Sequence, residues 1–527
     1  MYTARPNFGE VNSYSEHIGI LEITIVNDVF GGYILQTDDS YTCGYDLEHL
    51  KTTLNTLTKD FTIRKDKARD LMIVYVDDLS KISAFFDVDY SRFDKAFIWK
   101  NIEFRSFKPF SKKGEYDILM DWQNRFNTDK YPYMTPSQYV RKHVEKLNKG
   151  NESDIFPDEL DLEVFSKAVH GGVLYSRDNR IYDEKVLGPD QKLIGFDITS
   201  AYIYSIAFEK HCCSKPQIID PKDWDMYLKS QDYGTIGVYK ITYTSVLSVI
   251  SCYKDINGEK LKKGRSVTVE ICLTNIDLRT LMTVDMLTIE SIECKLLYGF
   301  KLDYLPKCIR DYCVDIFMQK QNAVPKSAEY KNIKVMLNSG FFGNFLYIMT
   351  KYLNAEGSRS EKQKLYKSIK KDAAVSPIWG IFTMSHVKNV ILKLGLKMSG
   401  WIYSDTDSIY CVDDSYNRGI IDEYNMKLLA RNEFLCEHFG YPMSAKDLGT
   451  FDIDAEIKRF RAWKTKVYCY ETIDGELKIK AAGTDKDDLE GVTADIAFNK
   501  NWQPKLSAMT VNVVTDGHYS TIKTQLF

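Results

Sequence analysis

The chain of 527 residues contains no run of about 18 apolar residues, so no segment reads as a membrane-spanning helix. Its first residues, MYTARPNFGEVNSYS, lack a charged stretch followed by an apolar one, which argues against a secretory signal there. Eleven cysteines are present, an odd number, and none falls in a C-x-x-C pair; only Cys212 and Cys213 are adjacent. The eight histidines show no zinc-ligand spacing. Free thiols in a reducing compartment are expected, in a soluble cytoplasmic protein with no membrane partner. Positive charge is not in excess either. The formal net charge is -3, against the basic bias that nucleic-acid enzymes often carry.

The length and the 44% hydrophobic content allow two to four domains. Positive charge does cluster locally, at KPFSKK (108–113), KLKKGR (260–265), KQKLYKSIKK (362–371) and KRFRAWKTK (458–466). Three of these interleave aromatic residues with the charge, a composition suited to a nucleic-acid backbone and its bases. KLKKGR has no aromatic and reads as a solvated face.

Along the chain, residues 17–75 read as strand, strand, a helix from Asp46 to Leu57, then the strand LMIVYVDD, the opening of an α/β domain. Thr135-Pro136 opens a further helix. The polar stretch at 148–161 is the candidate linker. KLIGFDITSAY is a strand running into a helix, 234–300 is strand-rich, 304–343 mostly helical, and WIYSDTDSIYCV is two apolar arms around a polar turn. The tail after Ala481 is mixed, and the whole reads as α+β.

Three carboxylates matter most. Transfer of a nucleotidyl group is served by two hard cations about 3.5–4 Å apart, held by one or two carboxylates plus phosphate and water. Asp405 and Asp407, in YSDTDS, sit in a turn between two strand arms. Asp197, in FDITSAYIYS, ends a strand and is suited to face Asp407 from a neighbouring one. Each segment alone fits an ordinary hairpin turn or a helix cap just as well. Lys334 and Asn338, four apart in KVMLNSGFFGNF, share a helix face opposite Ile333, Met336 and Leu337, and a lysine so placed offers a point charge to phosphate.

Together and in this order these segments resemble family B DNA polymerases. FDITSAYIYS is similar to the first palm motif, D-x-x-S-L-Y-P-S; KVMLNSGFFG to the fingers motif, K-x-x-x-N-S-x-Y-G; YSDTDS to Y-x-D-T-D-S; and KTKVY to the K-x-Y element. The likeness is greatest to the protein-primed branch of phages, some eukaryotic viruses and linear plasmids. The chain is short for family B, and about 137 residues separate Asp197 from Lys334, where that branch carries an insertion.

The resemblance implies a right-hand polymerase with palm, fingers and thumb, preceded by a ribonuclease-H-like exonuclease-type α/β domain. The implied domains are the exonuclease-like part (1–150), palm (165–205 and 377–480), a terminal-protein-region insertion (206–303), fingers (304–343), a second insertion (344–376) and thumb (481–527). It implies Asp197, Asp407 and the carbonyl of Ile198 as ligands of two Mg2+ ions, which Mn2+ can replace, with Asp405 assisting. Tyr202 becomes the ring that excludes a ribose 2′-hydroxyl. Lys320, Lys331, Lys334 and Asn338 become nucleotide contacts. Ser106, Phe107, the VHGG segment with His170, Gly171 and Gly172, and the pair Lys466 and Tyr468 become primer and template contacts. The implied partners are primed DNA, deoxynucleoside triphosphates and a terminal priming protein.

The departures from the pattern also carry meaning. Val169 replaces the tyrosine of Y-x-G-G, with His170 as its substitute. The fingers motif has one extra residue, so either Phe341 or Phe342 stands for the usual tyrosine. In the exonuclease motifs Ile20 replaces the aspartate of D-x-E and leaves Glu22, Ile82 occupies the second aspartate position with Asp94 as the alternative, and Arg141 and Glu145 stand for Y-x-x-x-D. Proofreading is therefore expected to be lost. Thr406 between the two aspartates argues against the adjacent pair of reverse transcriptases and RNA-templated RNA polymerases. The remaining rivals are a polymerase-like protein that only binds nucleic acid, and a DNA-primed family B enzyme with an active exonuclease.

Overall fold

A computed structural model describes most of residues 156–504, leaving out 189–190, 354–357, 373–374, 483, 485–488 and 490. It also describes 18–26, 29–37, 41–44, 46–58, 72–76, 82–83, 85–86, 96–99, 102–106, 136–148, 509–515 and 518–524. The chain divides into two compact units, Met1–Val140 with Gln319–Met336, and Arg141–Met318 with Leu337–Phe527.

In the first unit, β1 (Ile18–Val26), β2 (Val29–Thr37) and β3 (Tyr41–Gly44) form an antiparallel meander. Then come α1 (Leu47–Leu57), β4 (Met72–Val76), β5 (Ala96–Trp99) and β6 (Ile102–Ser106). The sheet order is β3-β2-β1-β4-β6-β5, with β1, β4 and β6 parallel. Parallel neighbours need a crossover, and α1 lies in the one leading to β4. Asp46 caps α1 by accepting from the Glu48 amide, and the helix buries Leu50 and Leu54, four apart on one face. Val74, Val76, Ile102 and Phe104 are buried strand residues, with the Phe86 ring 4.9 Å from that of Phe104.

The helix expected at Pro136 runs to Leu147 (α2). The candidate linker is shorter than expected, because α3 (Glu159–Ser166) already begins within it. In the second unit follow β7 (Val173–Ser176), β8 (Ile181–Tyr182), β9 (Leu193–Ile198), α4 (Ala201–Phe208), β10 (Lys210–Cys212), β11 (Gln217–Ile219), β12 (Tyr233–Ser245), β13 (Gly264–Thr274), α5 (Asn275–Thr283) and β14 (Thr288–Tyr304). α6 (Lys307–Asn322) and α7 (Ala328–Val335) lead into π-helical turns over Met336–Phe342. The stretch expected as a second insertion, 344–376, is largely α8 (Gly343–Leu353) and α9 (Arg359–Asp372). Then come α10 (Pro377–Gly395), β15 (Tyr403–Thr406), β16 (Ser408–Val412), α11 (Ser415–Phe439), β17 (Phe451–Lys464), β18 (Val467–Thr472), β19 (Leu477–Ala481), α12 (Ala494–Ala497) and the hairpin β20 (Met509–Thr515) with β21 (His518–Thr524).

The central sheet of this unit is ordered β19-β18-β17-β9-β16-β15-β7, with β8 also on β17. Strand alternation gives it two distinct faces. Ile194, Phe196 and Ile198 point toward Val387, Ile391 and Leu392 of α10 and Ile421 of α11. Leu193 belongs to the opposite face, an aromatic layer of Tyr403, Tyr410, Phe460, Tyr468 and Tyr470. Asp197, four residues on, emerges from that second face at the end of β9. A separate sheet, β10-β14-β12-β13 with β11 also on β14, takes its three long strands mostly from the residues expected to be strand-rich, while β10 and β11 precede them.

Candidate active site

The three aspartates lie on the neighbouring ends of adjacent strands. Asp197 pairs in register with Ser408 of β16 on one side and with Asp452 of β17 on the other. The Ile198 amide donates to the Asp407 carbonyl at 3.0 Å, which fixes the end of β9 against the acidic turn. Asp405 is still in β15, opposite Leu174 of β7. Asp197 does not cap the following helix; Ser200 occupies that position, with φ 51 and no side-chain cap bond.

The turn is strained. Thr406 has φ 71, a conformation that a β-branched residue rarely adopts. Three of the five non-glycine residues with positive φ among the described residues flank this site: Ser200, Thr406 and Lys466. The Thr406 hydroxyl donates to Asp405 Oδ1 at 3.2 Å, and the Asp407 amide to the Asp405 carbonyl at 2.9 Å. Gly172 makes room for the turn, since a Cβ there would stand 2.8 Å from Thr406 Cγ2. The expected VHGG segment thus runs against the YSDTDS turn.

Cations oppose the acids. Lys466 Nζ is 3.8 Å from Asp405 Oδ1 and half exposed, and the Lys466 amide donates to the Tyr403 hydroxyl at 2.8 Å. Burial disfavours the charge of Lys480, yet Tyr468, Asp454 and Asp197 outweigh it and raise its pKa above the usual value. Lys480, Asp452 and Asp454 were not among the expected residues. Asp452 accepts from the Thr199 hydroxyl at 2.5 Å and Asp454 from that of Tyr410 at 3.4 Å. Cross-strand register is the signal that would have found them, and it is not printed in local sequence.

Tyr202 lies within reach of the same charges. Burial above all, then Asp407 and Asp405, raises its pKa. Its ring is covered by Phe342, not Phe341, which packs inward 5.3 Å from Tyr312. Tyr204 is 6% exposed and cannot line a sugar pocket.

Two expected contacts are overturned. His170 is 4% exposed, with Nε2 2.7 Å from the Cys272 carbonyl and Nδ1 accepting from the Lys254 amide at 3.2 Å. Both ring nitrogens are engaged internally, so the imidazole does not replace a template-contacting hydroxyl. Tyr468 is 1% exposed within the aromatic layer, 4.6 Å from Tyr403, so its ring offers no surface to a primer. The basic segment 458–466 is likewise partly spent inside. Arg459 pairs with Glu471, and Arg461 donates to the carbonyls of Ala497, Asn499, Lys500 and Trp502.

The remaining expected residues are spread more widely. Lys334 and Asn338 are exposed while Ile333, Met336 and Leu337 are buried, as the spacing implied. In the first unit Lys320 lies 5.8 Å from the Tyr330 ring centroid. Ile82 is buried, and Arg141 lies 3.9 Å from Glu145 and over the Tyr347 ring. Phe107 and the alternative Asp94 lie outside the described residues, as do the side chains of Ile20, Glu22 and Ser106.

Among the described residues no three His, Cys, Asp or Glu side chains are grouped so that together they could hold a metal ion. Magnesium does not ask for three, since it takes one or two carboxylates and leaves the other positions to phosphate and water. Carboxylates on neighbouring strand ends suit that preference. No helix among the described residues is long and apolar enough to cross a membrane.

Solved structures that share this fold include those of phi29 DNA polymerase. Phi29 DNA polymerase complexed with primer-template DNA matches with a TM-score of 0.62 over 97% of this chain and 99% of that one, at 14% identity. The same enzyme complexed with primer-template DNA and incoming nucleotide substrates matches with a TM-score of 0.60, over 97% and 98%, at 16% identity. At these identities the likeness establishes the fold. No family model and no curated protein matches the chain.

Proposed function

We propose that the chain is a template-directed DNA polymerase in which Asp197 and Asp407 hold divalent cations. The observation that supports this reading is the placement of Asp197, Asp405 and Asp407 on neighbouring strand ends, in a fold shared with phi29 DNA polymerase. Two Mg2+ ions, or Mn2+ in their place, would activate the primer 3′-hydroxyl and steady the leaving pyrophosphate. Asp197 and Asp407 with the Ile198 carbonyl supply oxygen ligands, and Asp405 orients Lys466. Tyr202 forms the floor of the sugar site. Lys334, with Lys320 and Lys331 as further contacts, neutralises the triphosphate, and Asn338 lies against the nascent pair. Gly171 and Gly172 carry the backbone of the template path, and Lys466 holds the primer end. Ser106 and Phe107 contact single-stranded template.

The palm, fingers and thumb follow the domain bounds given above, and the sheet order β3-β2-β1-β4-β6-β5 supports a ribonuclease-H-like fold for the first unit. The reaction takes place in the cytoplasm, of a host cell if the chain is viral. Extension of a primed template with deoxynucleotides and magnesium, abolished by a chelator, is the test. Binding of the same template with no extension under either metal would leave the rival reading, a nucleic-acid-binding protein.

Initiation from a terminal protein is part of the proposal, motivated by the long insertion between Asp197 and Lys334. Labelled dAMP and the cognate terminal protein should yield a covalent protein–nucleotide adduct. Efficient start-up from DNA primers with no adduct would favour a DNA-primed enzyme. Proofreading is proposed to be absent because Ile20 and Ile82 cannot ligate a metal, and Arg141 is engaged by Glu145. Degradation of a mismatched primer end that Glu22→Ala abolishes and Asp407→Ala spares would overturn this.

A further inference from the structure

We propose that Arg431, acting through Tyr204 and Glu209, is a positioning residue that sets the azimuth of α4 and thereby the sugar selectivity of Tyr202. The inference rests on the polymerase reading and adds a determinant of its specificity.

α4 has eight residues and is apolar almost all round. So short a helix has little stability or orientation of its own, and the side chain of its cap residue Ser200 does not cap it. Tyr202 and Tyr204 are two positions apart, about 200° around the axis, so they leave opposite sides of the helix. Tyr202 faces Phe342 and the carboxylates. Tyr204 faces away from them, toward α11.

There the hydroxyl of Tyr204 donates to Glu209 Oε1 at 2.5 Å and accepts from an Arg431 guanidinium nitrogen at 2.7 Å. Arg431 also donates to both Glu209 oxygens, at 2.6 and 3.1 Å, and to the Phe208 carbonyl at 2.8 Å. That carbonyl belongs to the last residue of α4, one that lacks a partner within the helix, and a cation there also suits the helix dipole. Burial alone would raise the Glu209 carboxyl; His386, Arg431 and Tyr204 outweigh it and hold it at about 2. The carboxylate is therefore charged at any working pH.

The ring of Tyr204 is held from its other side. Gly449 has φ +85, and a Cβ there would stand 2.4 Å from the ring. The Gly449 amide donates to the Thr199 carbonyl at 2.9 Å, and the Thr199 amide to the Thr450 carbonyl at 2.8 Å. One loop thus contacts both Tyr204 and the backbone two residues beyond Asp197.

A ring tip lies about 6 Å from a helix axis, so a rotation of about 20° moves it by about 2 Å. That displacement is on the scale of a single hydroxyl group, and misplacements of about 1 Å are known to cost reactions up to a hundredfold. Fixing Tyr204 therefore fixes how much room Tyr202 leaves at the sugar.

The test is the ratio of kcat/KM for a deoxynucleotide over its ribonucleotide, measured for Arg431→Gln and Tyr204→Phe. The second variant keeps the ring on Gly449 and removes only the hydroxyl, so it reports even if the first fails to fold. Each should lower the ratio about tenfold and raise the deoxynucleotide KM, with kcat changed less than about threefold. In a Tyr202→Val background, Arg431→Gln should lower the ratio no further, because its effect runs through that ring. A purely structural role would reduce activity without changing the ratio. An unchanged ratio in active, folded variants, or a full additional loss in the Tyr202→Val background, overturns the inference. A wild-type chain that extends no primer overturns the polymerase reading first, and the inference with it.

Discussion

The ring of Phe342 lies flat on that of Tyr202, with centroids 3.9 Å apart and planes within 4°. Aromatic pairs prefer offset or edge-on geometry when free to choose, so surrounding packing holds these two face to face. Tyr202→Ala or Tyr202→Val should reduce discrimination against ribonucleotides at least about tenfold. Phe342→Ala should raise the deoxynucleotide KM several-fold. Single-nucleotide incorporation measured with both sugars checks this. Unchanged discrimination on loss of Tyr202 would place the gate elsewhere.

Removing a carboxylate should separate chemistry from binding. Asp197→Ala and Asp407→Ala are each expected to reduce extension at least about a thousandfold, the cost of several kcal/mol of transition-state stabilisation. Affinity for primed DNA should stay nearly unchanged. Asp405→Asn should lose less, because its interaction is with Lys466. A gel extension assay beside a filter-binding assay decides it, and a tenth of wild-type extension in both alanine variants would rule out the ligand assignment.

Stability should fall on mild acidification. Burial, then Lys388, pushes the His170 imidazole down to about 3 from its ordinary 6.5. Unfolded chains bind the proton near 6.5 and folded ones only near 3, so between these values the unfolded state holds more protons. The contribution is complete above pH 6.5 and is lost as pH falls through that window, at about 1.4 kcal/mol per pH unit for one group. His211, also held at about 3 by burial and then His386, adds to the slope. Urea midpoints from pH 7 to 4.5 should flatten by about one proton in His170→Gln. An undiminished slope would mean that another group carries it.

Beneath His170 lies a buried ion pair, Lys388 Nζ to Asp277 Oδ1 at 3.2 Å, with each side chain 1% exposed. Ser385 and Thr274 donate to the other Asp277 oxygen at 2.6 and 2.9 Å. Lys388→Met leaves a buried carboxylate without its counter-charge and should cost about 3–5 kcal/mol in urea unfolding. Asp277→Leu combined with Lys388→Met should recover most of that. A single variant as stable as wild type would show that the carboxylate takes a proton instead.

Much of this arrangement was legible locally. Strand alternation and turn chemistry marked β9, β15, β16 and the acids they carry, and the approach of the end of β9 to the Asp407 carbonyl follows from strands ending in polar turns. What escaped depends on distant partners. His170 reads as a surface residue beside two glycines until the Cys272 carbonyl, 102 positions away, covers it. Tyr468 alternates correctly for a strand, but only the stacking of Tyr403, Tyr410 and Tyr470 against it decides that its ring is internal. Arg461 looks like a nucleic-acid contact until the carbonyls between Ala497 and Trp502 fold around it.

The π-helical turns over Met336–Phe342 bear on how far a pattern of letters can be followed here. Such turns arise when one residue is inserted into an α-helix whose two ends keep their orientation. Here the insertion falls inside a recognition pattern. Compared letter by letter, KVMLNSGFFG breaks into two fragments short enough to occur by accident. Followed along the helix, it is one piece, with Phe341 inside and Phe342 on Tyr202. An extra residue of this kind disturbs a pattern of letters while leaving the three-dimensional one intact, just as the fold is shared with solved structures over 97% of the chain at only 14 to 16% identity.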